Sequence, residues 1–349
     1  MPNFLVTEFE STPAERVGSN CALSVVAPCY NEAAGLAELH RRVSAVCRQT
    51  VDDSYELVLV NDGSSDATLA VMAMLAASDP HIVAINLTRN YGHQVALTAG
   101  LEHCRGGRVL IIDADLQDPP ELLPEMMSLM NAGADVVYGQ RRTRSGTSWW
   151  KKTAMRIFYR LLRGLVEIDI PLDTGDFRLI SRRVLNILNM MPEQHRFIRG
   201  MISWIGLNQV PLLYDRDPRF AGESGYPFGK LLRLAIDGIT GFSVVPLRLA
   251  SYFGLLTGLF GLAMLVYSVG GWLFFNVPVG WASQTTIILV LGSGQLIVLG
   301  IAGEYLGRLY IESKRRPVYL TDRIIKGSDE AQPSDMLPAR KEAAAQDRR

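Results

Sequence analysis

The chain has 349 residues with 35 basic and 35 acidic side chains, so its formal net charge at pH 7 is zero. Its length allows a domain of about 100 to 200 residues and a second part, and its charge gives no reason to expect nucleic-acid binding. The four cysteines lack C-x-x-C spacing and the pattern of a disulfide framework, so we expect reduced packing residues of a cytosolic domain. Residues 1–20 lack the apolar core of a signal peptide and are expected to be disordered.

Apolar runs of strand length alternate with helix-length segments in the first part of the chain. Strands are predicted at 23–28, 56–60, 82–87, 109–112 and 135–139, and helices at about 34–47 and 95–103. Strands and helices that alternate at these lengths favour a mostly parallel sheet covered by helices. We therefore predict an α/β fold.

The most informative stretch is 109–118, where an apolar strand runs into alternating polar side chains. Asp113 and Asp115 follow the strand, and Gln117 comes two residues later. In a parallel sheet the ligand crevice lies beyond the carboxyl ends of the strands, so we expect these side chains to line it. Hard oxygen ligands suit Mg²⁺ or Mn²⁺, and such a metal suits a pyrophosphate. An acidic turn that caps a helix is the alternative.

A pyrophosphate site in this chain would have to work without a phosphate-binding glycine loop, because no such motif is present. A metal and arginines would then have to meet the charge of the phosphates. Glu32 and Asp62 each follow an early strand and can accept hydrogen bonds from a base or a ribose. The sequence around Asp62, Asn-Asp-Gly-Ser, is equally typical of a turn.

Residues 249–303 carry no charged side chain. Within them, 249–275 and 285–303 are each long enough to cross a hydrocarbon layer of about 30 Å as a helix, and the second could extend to about residue 308. Basic residues flank the pair on both sides and are missing from the connecting loop, which predicts a transmembrane hairpin with both outer ends in the cytoplasm. We expect 304–349 to be a cytosolic tail, disordered after about residue 326. A buried hairpin in a soluble protein is the alternative.

Eight basic residues and no acid lie between residues 141 and 163. Four of them have helical spacing, namely Lys152, Arg156, Arg160 and Arg163, and aromatic residues stand among them. A basic amphipathic helix of this kind is typical of an anionic membrane surface or a phosphate headgroup site, although such a run can also be a solvated face. Residues 229–248 predict a second amphipathic helix, in the membrane interface before the hairpin.

Five motifs occur in one order and at domain-scale spacing: PCYNE at 28–32, NDGSSD at 61–66, RNYGHQ at 89–94, DADLQD at 113–118 and TGDFR at 174–178. With the hairpin, they resemble glycosyltransferase family 2, in particular its polyprenyl-phosphate glycosyltransferases, over about residues 20–318. The resemblance implies a Rossmann-like nucleotide-diphospho-sugar transferase domain in the cytosol over 21–228.

The resemblance also implies roles for individual residues. It implies nucleotide-sugar contacts for Pro28, Tyr30, Glu32, Asp62, Gly92, Gln94, Asp113, Ala114 and Asp115. It implies metal contacts for Asp113, Asp115 and Gln117, and acceptor-phosphate contacts for Arg141, Lys152, Arg156, Arg196, Arg199 and Arg219. It implies catalytic roles for Asp115, Asp176, Arg141 and Arg219. In one departure, Gly225 stands where the family commonly has a lysine before Tyr-Pro, so a cation expected near the phosphates is missing.

The reaction that the resemblance implies is inverting transfer of a hexose, with UDP-glucose favoured as donor, to undecaprenyl phosphate for modification of lipopolysaccharide or another envelope glycan. A lipid phosphate is already ionised at pH 7, so we expect Asp176 to position the sugar rather than to act as a base. GDP-mannose or a modified UDP-sugar is the alternative donor. Two further alternatives are a processive polysaccharide synthase and a non-catalytic membrane protein that binds nucleotide sugars.

The expected location is the inner cell membrane, with the catalytic domain in the cytoplasm. Gly254, Gly258 and Gly261 lie at near-helical spacing in the first predicted span and allow close helix contact, either within the hairpin or between copies of the chain. Together with the resemblance, they favour a homo-oligomer, as a tetramer.

Overall fold

A computed structural model describes residues 21–142, 174–215, 243–275 and 281–326 of the chain. Its strands are β1 (Leu23–Cys29), β2 (Tyr55–Asn61), β3 (Ile82–Leu87), β4 (Arg108–Ile111), β5 (Val136–Arg141), β6 (Thr174–Ser181), β7 (Gln209–Tyr214) and β8 (Thr321–Lys326). Its helices are α1 (Leu36–Val51), α2 (Thr68–Ser78), α3 (His93–His103), α4 (Leu123–Asn131), α5 (Arg182–Met190), α6 (Ile198–Ile205), α7 (Val245–Phe275) and α8 (Trp281–Ser313). A short 3₁₀ turn, Pro120–Leu122, precedes α4.

The eight strands form one sheet in the order β7-β5-β6-β4-β1-β2-β3-β8. The four central strands β4, β1, β2 and β3 are parallel, whereas β6 runs antiparallel to both of its neighbours. All residues of β1, β2 and β3 are buried, as expected for parallel strands covered by helices on both faces. The predicted α/β fold with a mostly parallel sheet is confirmed.

The first five strands begin and end within two residues of the predicted bounds, because each is a short apolar run that ends at turn residues. The sequence did not predict β6, β7 or β8. Of these, β7 alternates buried and exposed positions only in its second half, and β8 has no fully buried residue. Such edge strands carry a weak apolar pattern.

Strand β8 comes from the segment that follows the hairpin, and it pairs antiparallel with β3. Asn86 donates from Nδ2 to the Asp322 carboxylate at 2.9 Å, and the Tyr319 hydroxyl donates to Glu102 at 2.7 Å. At the end of α8, the Glu312 carboxylate accepts a hydrogen bond from the Gln194 backbone N–H at 2.8 Å. The hairpin is therefore tied to the sheet by hydrogen bonds on its C-terminal side.

The helices α7 and α8 contain two stretches long and apolar enough to cross a membrane, Val245–Tyr267 and Val290–Ser313, and only 6% of each apolar window is buried. A helix that lies in the core of a soluble protein would be mostly buried, so the exposed apolar surface favours the membrane hairpin. The two helices pack against each other where a Cβ on Gly294 would lie 3.0 Å from the Phe253 ring. The space around Gly254, Gly258 and Gly261 is open, so oligomerisation through them stays a prediction.

A buried carboxylate holds the amino ends of the central strands together. Glu56 is 2% exposed, and it accepts hydrogen bonds from the Ser24 hydroxyl at 2.6 Å and from the Arg105 side chain at 2.9 Å. The Arg105 backbone N–H also donates to Glu56. The Ser24 hydroxyl oxygen in turn accepts from the Gly106 N–H at 2.7 Å. These bonds join β1 and β2 to the turn that precedes β4.

We predict that Glu56→Ala destabilises the domain by about 2 to 3 kcal/mol, because it leaves buried donors without an acceptor. A thermal unfolding curve of the purified protein in detergent should show a lower midpoint. Glu38→Ala is the matched control, since Glu38 pairs with Arg41 at the exposed surface of α1, and it should leave the midpoint unchanged. Equal midpoints for the two variants would contradict the structural role of Glu56.

Candidate active site

The loops at the carboxyl ends of β1, β2 and β3 surround a cleft of about 390 Å³. Its lining is formed by Pro28, Cys29, Tyr30, Asp62, Asn90, Gly92 and His93. Four predicted nucleotide-sugar residues therefore meet in one cleft: Pro28, Tyr30, Asp62 and Gly92. The parallel register of β1 and β2 explains this meeting, because Cys29 lies opposite Asn61 and both following loops leave the sheet at the same edge.

Asp62 fixes the loop between β3 and α3. Its two carboxylate oxygens accept hydrogen bonds from the backbone N–H groups of Tyr91 at 2.7 Å and Gly92 at 2.9 Å. Burial raises the pKa of Asp62, and these two N–H groups oppose that rise. Gly63 makes the approach possible, since it has φ +63° and a Cβ there would lie 2.4 Å from the Asn90 nitrogen. The cleft wall thus consists of two interlocked loops.

The predicted metal residues lie just beyond β4. The Gln117 backbone N–H donates to the Asp115 carboxylate at 3.1 Å across Leu116, which has φ +61° although it is not a glycine. A left-handed backbone at a leucine is strained, and such strain is concentrated at functional sites. Asp113 Oδ1 is buried and has no hydrogen-bond partner among the residues that the structure describes.

Strand pairing brings Asp176 to Asp113. Strands β4 and β6 are antiparallel with Ile111 opposite Arg178, so the residue two positions after Ile111 meets the residue two positions before Arg178. His93 lies against both acids, with its Nε2 atom 3.2 Å from Asp176 and 3.5 Å from Asp113. Two motifs that are about 60 residues apart in sequence therefore share one site.

Several donors surround the Asp176 carboxylate. Besides His93, Gln94 donates from Nε2 at 2.9 Å, and Arg199 donates from Nε at 3.3 Å and from Nη2 at 3.2 Å. Burial opposes ionisation of Asp176, but the hydrogen bond from His93 and the charge of Arg199 hold its pKa well below the usual range. Asp176 is an ionised carboxylate whose orientation is fixed by its neighbours.

The neighbouring charges shift the pKa values of Asp113 and His93. Burial raises the pKa of Asp113; the positive charge of His93 opposes that rise, and the nearby carboxylates of Asp176, Asp118 and Asp115 add to it. Burial would lower the pKa of His93, but the hydrogen bond with Asp176 and the charge of Asp113 raise it. Several carboxylates are thus crowded around Asp113, and a bound cation would stabilise their charged forms.

The predicted acceptor-phosphate arginines take different places. Arg199 binds Asp176 inside the cluster, whereas Arg196 lies outside it with 4% of its side chain exposed. The Arg196 guanidinium donates to the carbonyl oxygens of Leu188 at 3.2 Å and Met191 at 2.5 Å, at the C-terminal end of α5. Its Nη1 atom also lies 3.6 Å from the Glu102 carboxylate, so Arg196 supports the loop before α6 and is not bonded to Asp113 or Asp176.

Two further predicted residues, Gln94 and Glu32, are described by the structure, and three are not. The Gln94 amide joins Asp176 to the Ile198 N–H, which donates to Gln94 Oε1 at 2.9 Å, and its place near the nucleoside stays a prediction. The Glu32 backbone N–H donates to Thr68 at the start of α2. Lys152, Arg156 and Arg219 lie outside the described residues, as do the segment around Gly225 and most of the predicted helix 229–248.

His93 lies inside the motif at 89–94, and the sequence predicted no role for it, although its neighbours Gly92 and Gln94 were predicted to contact the nucleotide sugar. The one signal for it was a titratable side chain shortly before the helix predicted at 95–103. Only the β4–β6 pairing shows that this imidazole reaches two acids, since neither acid is near it in the sequence.

Comparison with known proteins identifies the family. Residues 24–188 match Glycosyl transferase family 2. The uncharacterized glycosyltransferase YkcC of Bacillus subtilis is 43% identical over 304 residues, which are 86% of this chain and 93% of that protein. The prophage bactoprenol glucosyl transferase homolog of Escherichia coli is 38% identical over 87% of this chain and 99% of that protein. The bactoprenol glucosyl transferase of Shigella phage SfV is 40% identical over 85% and 97%.

The chain belongs to glycosyl transferase family 2 and is a glycosyltransferase. The family that the sequence motifs predicted is confirmed. The match with the relatives extends well beyond the family domain, because each alignment covers more than four fifths of both chains.

We predict that Asp62→Ala releases the loop between β3 and α3 without unfolding the domain. Amide hydrogen exchange at Tyr91 and Gly92 should become at least about tenfold faster, because each N–H loses a bond to a charged acceptor. Mass spectrometry of the peptide that covers residues 88–93 measures this change. Asp53→Ala, at a carboxylate that is 82% exposed, is the control and should exchange like the parent. Unchanged protection in Asp62→Ala would show that the loop is held by something else.

Proposed function

We propose that this glycosyltransferase transfers glucose from UDP-glucose to the phosphate of a membrane polyprenyl phosphate, with inversion at the anomeric carbon. The main support for the proposal is the acid cluster beside the cleft. The domain that bears this cluster is hydrogen-bonded to an exposed apolar hairpin that is long enough to cross a membrane. Two relatives match this chain over nearly their whole length, and they are named as a bactoprenol glucosyl transferase and a homolog of one. These names support glucose as the transferred sugar and a polyprenyl phosphate as the acceptor.

The residues beyond β4 fit a divalent cation, Mg²⁺ or Mn²⁺. Asp113 Oδ1 is buried and accepts no hydrogen bond in the described part of the chain, with His93 Nε2 3.5 Å away, and Asp115 and Gln117 complete the predicted set. The described residues contain no group of three or more His, Cys, Asp or Glu side chains arranged to hold a metal by themselves. Mg²⁺ is commonly bound by one or two carboxylates together with substrate phosphates, so Asp113 and Asp115 would be the residues that hold it. When bound there, the metal would neutralise charge that develops on the leaving nucleoside diphosphate.

The side chains of the protein have to orient the substrates and stabilise charge, and no proton transfer is required. An oxygen of the acceptor phosphate forms the bond to the anomeric carbon while the bond from that carbon to the UDP oxygen breaks, and the electron pair leaves with UDP. The attacking oxygen is already ionised, so no proton has to be removed. Asp176 is held ionised with fixed orientation by His93, Gln94 and Arg199, which suits a carboxylate that positions the sugar and stabilises positive charge on it.

The membrane supplies the acceptor. Two helices that can cross a bilayer place the catalytic sheet next to the surface where a polyprenyl phosphate presents its headgroup. Bringing both substrates together in a fixed geometry lowers the entropic part of the barrier. We propose a multi-pass protein of the inner cell membrane with the catalytic domain in the cytoplasm, assembled as a homo-oligomer.

A panel of sugar nucleotides tests the proposal directly. The purified protein receives UDP-glucose, GDP-mannose, UDP-N-acetylglucosamine or a modified UDP-pentose, together with a short polyprenyl phosphate and Mn²⁺. We expect lipid-linked glucose from UDP-glucose, detected by mass spectrometry. Transfer to a sugar hydroxyl with none to the lipid phosphate would contradict the reaction, and transfer from another nucleotide alone would replace the donor.

We predict that Asp115→Asn lowers glucose transfer at least about a hundredfold at every Mn²⁺ concentration, because an amide binds a hard cation more weakly than a carboxylate. Circular dichroism should show the same helix content as the parent, since Asp115 lies in the loop after β4 and outside every described helix. Asp53→Asn provides the control for loss of one negative charge. Parent-like turnover in Asp115→Asn across the Mn²⁺ titration would remove the metal role from this residue.

A further inference from the structure

A tyrosine and an aspartate outside the predicted site form a buried pair next to Arg141. Tyr214 is the last residue of β7 and is 3% exposed, and its hydroxyl donates to Asp118 Oδ1 at 2.5 Å. Asp118 has no exposed surface. In the parallel pairing of β5 and β7, Tyr214 lies directly opposite Arg141. The pair therefore stands at the same edge of the sheet as the acids beyond β4.

The ring of Tyr214 is held from two sides, which fixes where its hydroxyl lies. Its edge contacts Phe177, with ring centroids 5.7 Å apart and an interplanar angle of 61°. It also covers Gly139, where a Cβ would lie 2.8 Å from both Tyr214 Cε1 and Phe177 Cδ1. Interiors packed this closely leave a side chain one position. Gly139 is thus the residue that gives the ring room to reach Asp118.

Arg141 reaches from the end of β5 to the backbone beside Asp176. A Cβ added to Gly175 would lie 3.1 Å from Arg141 Nη2 and 3.9 Å from Asp118 Oδ2. Burial would lower the pKa of Arg141, but its interaction with the Tyr214 hydroxyl and the charge of Asp118 raise it. The guanidinium therefore lies between the Tyr214–Asp118 pair and the residue that precedes Asp176.

We propose that Tyr214 and Asp118 are positioning residues that hold the Arg141 guanidinium against the strand of Asp176, where it meets a substrate phosphate. This inference rests on the proposed function, in which Arg141 contacts a phosphate of donor or acceptor. Asp118 is fully buried and Tyr214 nearly so, and therefore both act through Arg141 rather than on the substrate. An arginine side chain that is held in place before the substrate binds loses less conformational entropy when the transition state forms.

A double-mutant cycle separates this role from a structural one. We expect Tyr214→Phe, which keeps the ring and removes the hydroxyl, to lower kcat for glucose transfer about tenfold, within the range for residues in one hydrogen-bond network. In the Arg141→Ala background the same change should lower kcat no further. If Tyr214 only stabilises the fold, its effect would instead be the same in both backgrounds.

Two more variants complete the test. Tyr55→Phe is the matched control, because Tyr55 is a buried tyrosine at the start of β2, at the opposite end of the sheet, and it should keep the parental kcat. Asp118→Asn keeps an oxygen that can accept from Tyr214 but removes the charge, and it should also lose its effect in the Arg141→Ala background. If Tyr214→Phe folds poorly, as judged by its melting temperature, this second cycle decides.

The outcomes distinguish the two proposals. Additive losses in the cycles, or a parental kcat in both Tyr214→Phe and Asp118→Asn, would overturn the positioning role while the parent still makes lipid-linked glucose. A parent protein that makes no lipid-linked glucose would overturn the proposed function itself.

Discussion

The repulsion between carboxylates at one edge of the sheet is the constraint on which the rest of the site depends. Asp113, Asp115 and Asp118 follow β4, and β6 adds Asp176 to the same place. Each charge that is taken from water requires a partner. Asp176 has His93, Gln94 and Arg199, and Asp118 has Tyr214. Asp113 has His93 Nε2 at 3.5 Å, and it is the carboxylate that the proposed divalent cation would share.

The mixed sheet brings these acids and their partners together. Four parallel strands place three loops around the cleft, as in any sheet of this kind. The antiparallel strand β6, inserted between β4 and β5, then carries Asp176 and Gly175 to the same edge from the opposite chain direction. As a result the Asp176 carboxylate and the acids that follow β4 belong to neighbouring strands, although their motifs are far apart in the chain.

The apolar hairpin is connected to this site by hydrogen bonds and strand pairing as well as by the chain itself. Glu312 at the end of α8 holds the backbone of Gln194, in the loop that leads to α6 and Arg199. Strand β8 then closes the edge of the sheet beside β3, whose following loop is held by Asp62. These contacts give the catalytic sheet a defined position relative to the two apolar helices, which a reaction with a membrane-anchored phosphate requires.

The sequence by itself determined the α/β class, the first five strands, the apolar hairpin and the family, because these depend on local patterns: strand-length apolar runs, uncharged stretches and short motifs. It also named most members of the acid cluster. Only the tertiary structure decided that His93 joins Asp113 to Asp176, that Arg196 supports a loop instead of facing the acids, and that Tyr214 reaches Asp118. Each of these contacts depends on the pairing or packing of segments distant in the chain, and side-chain identity and spacing in one sequence carry no record of such pairing.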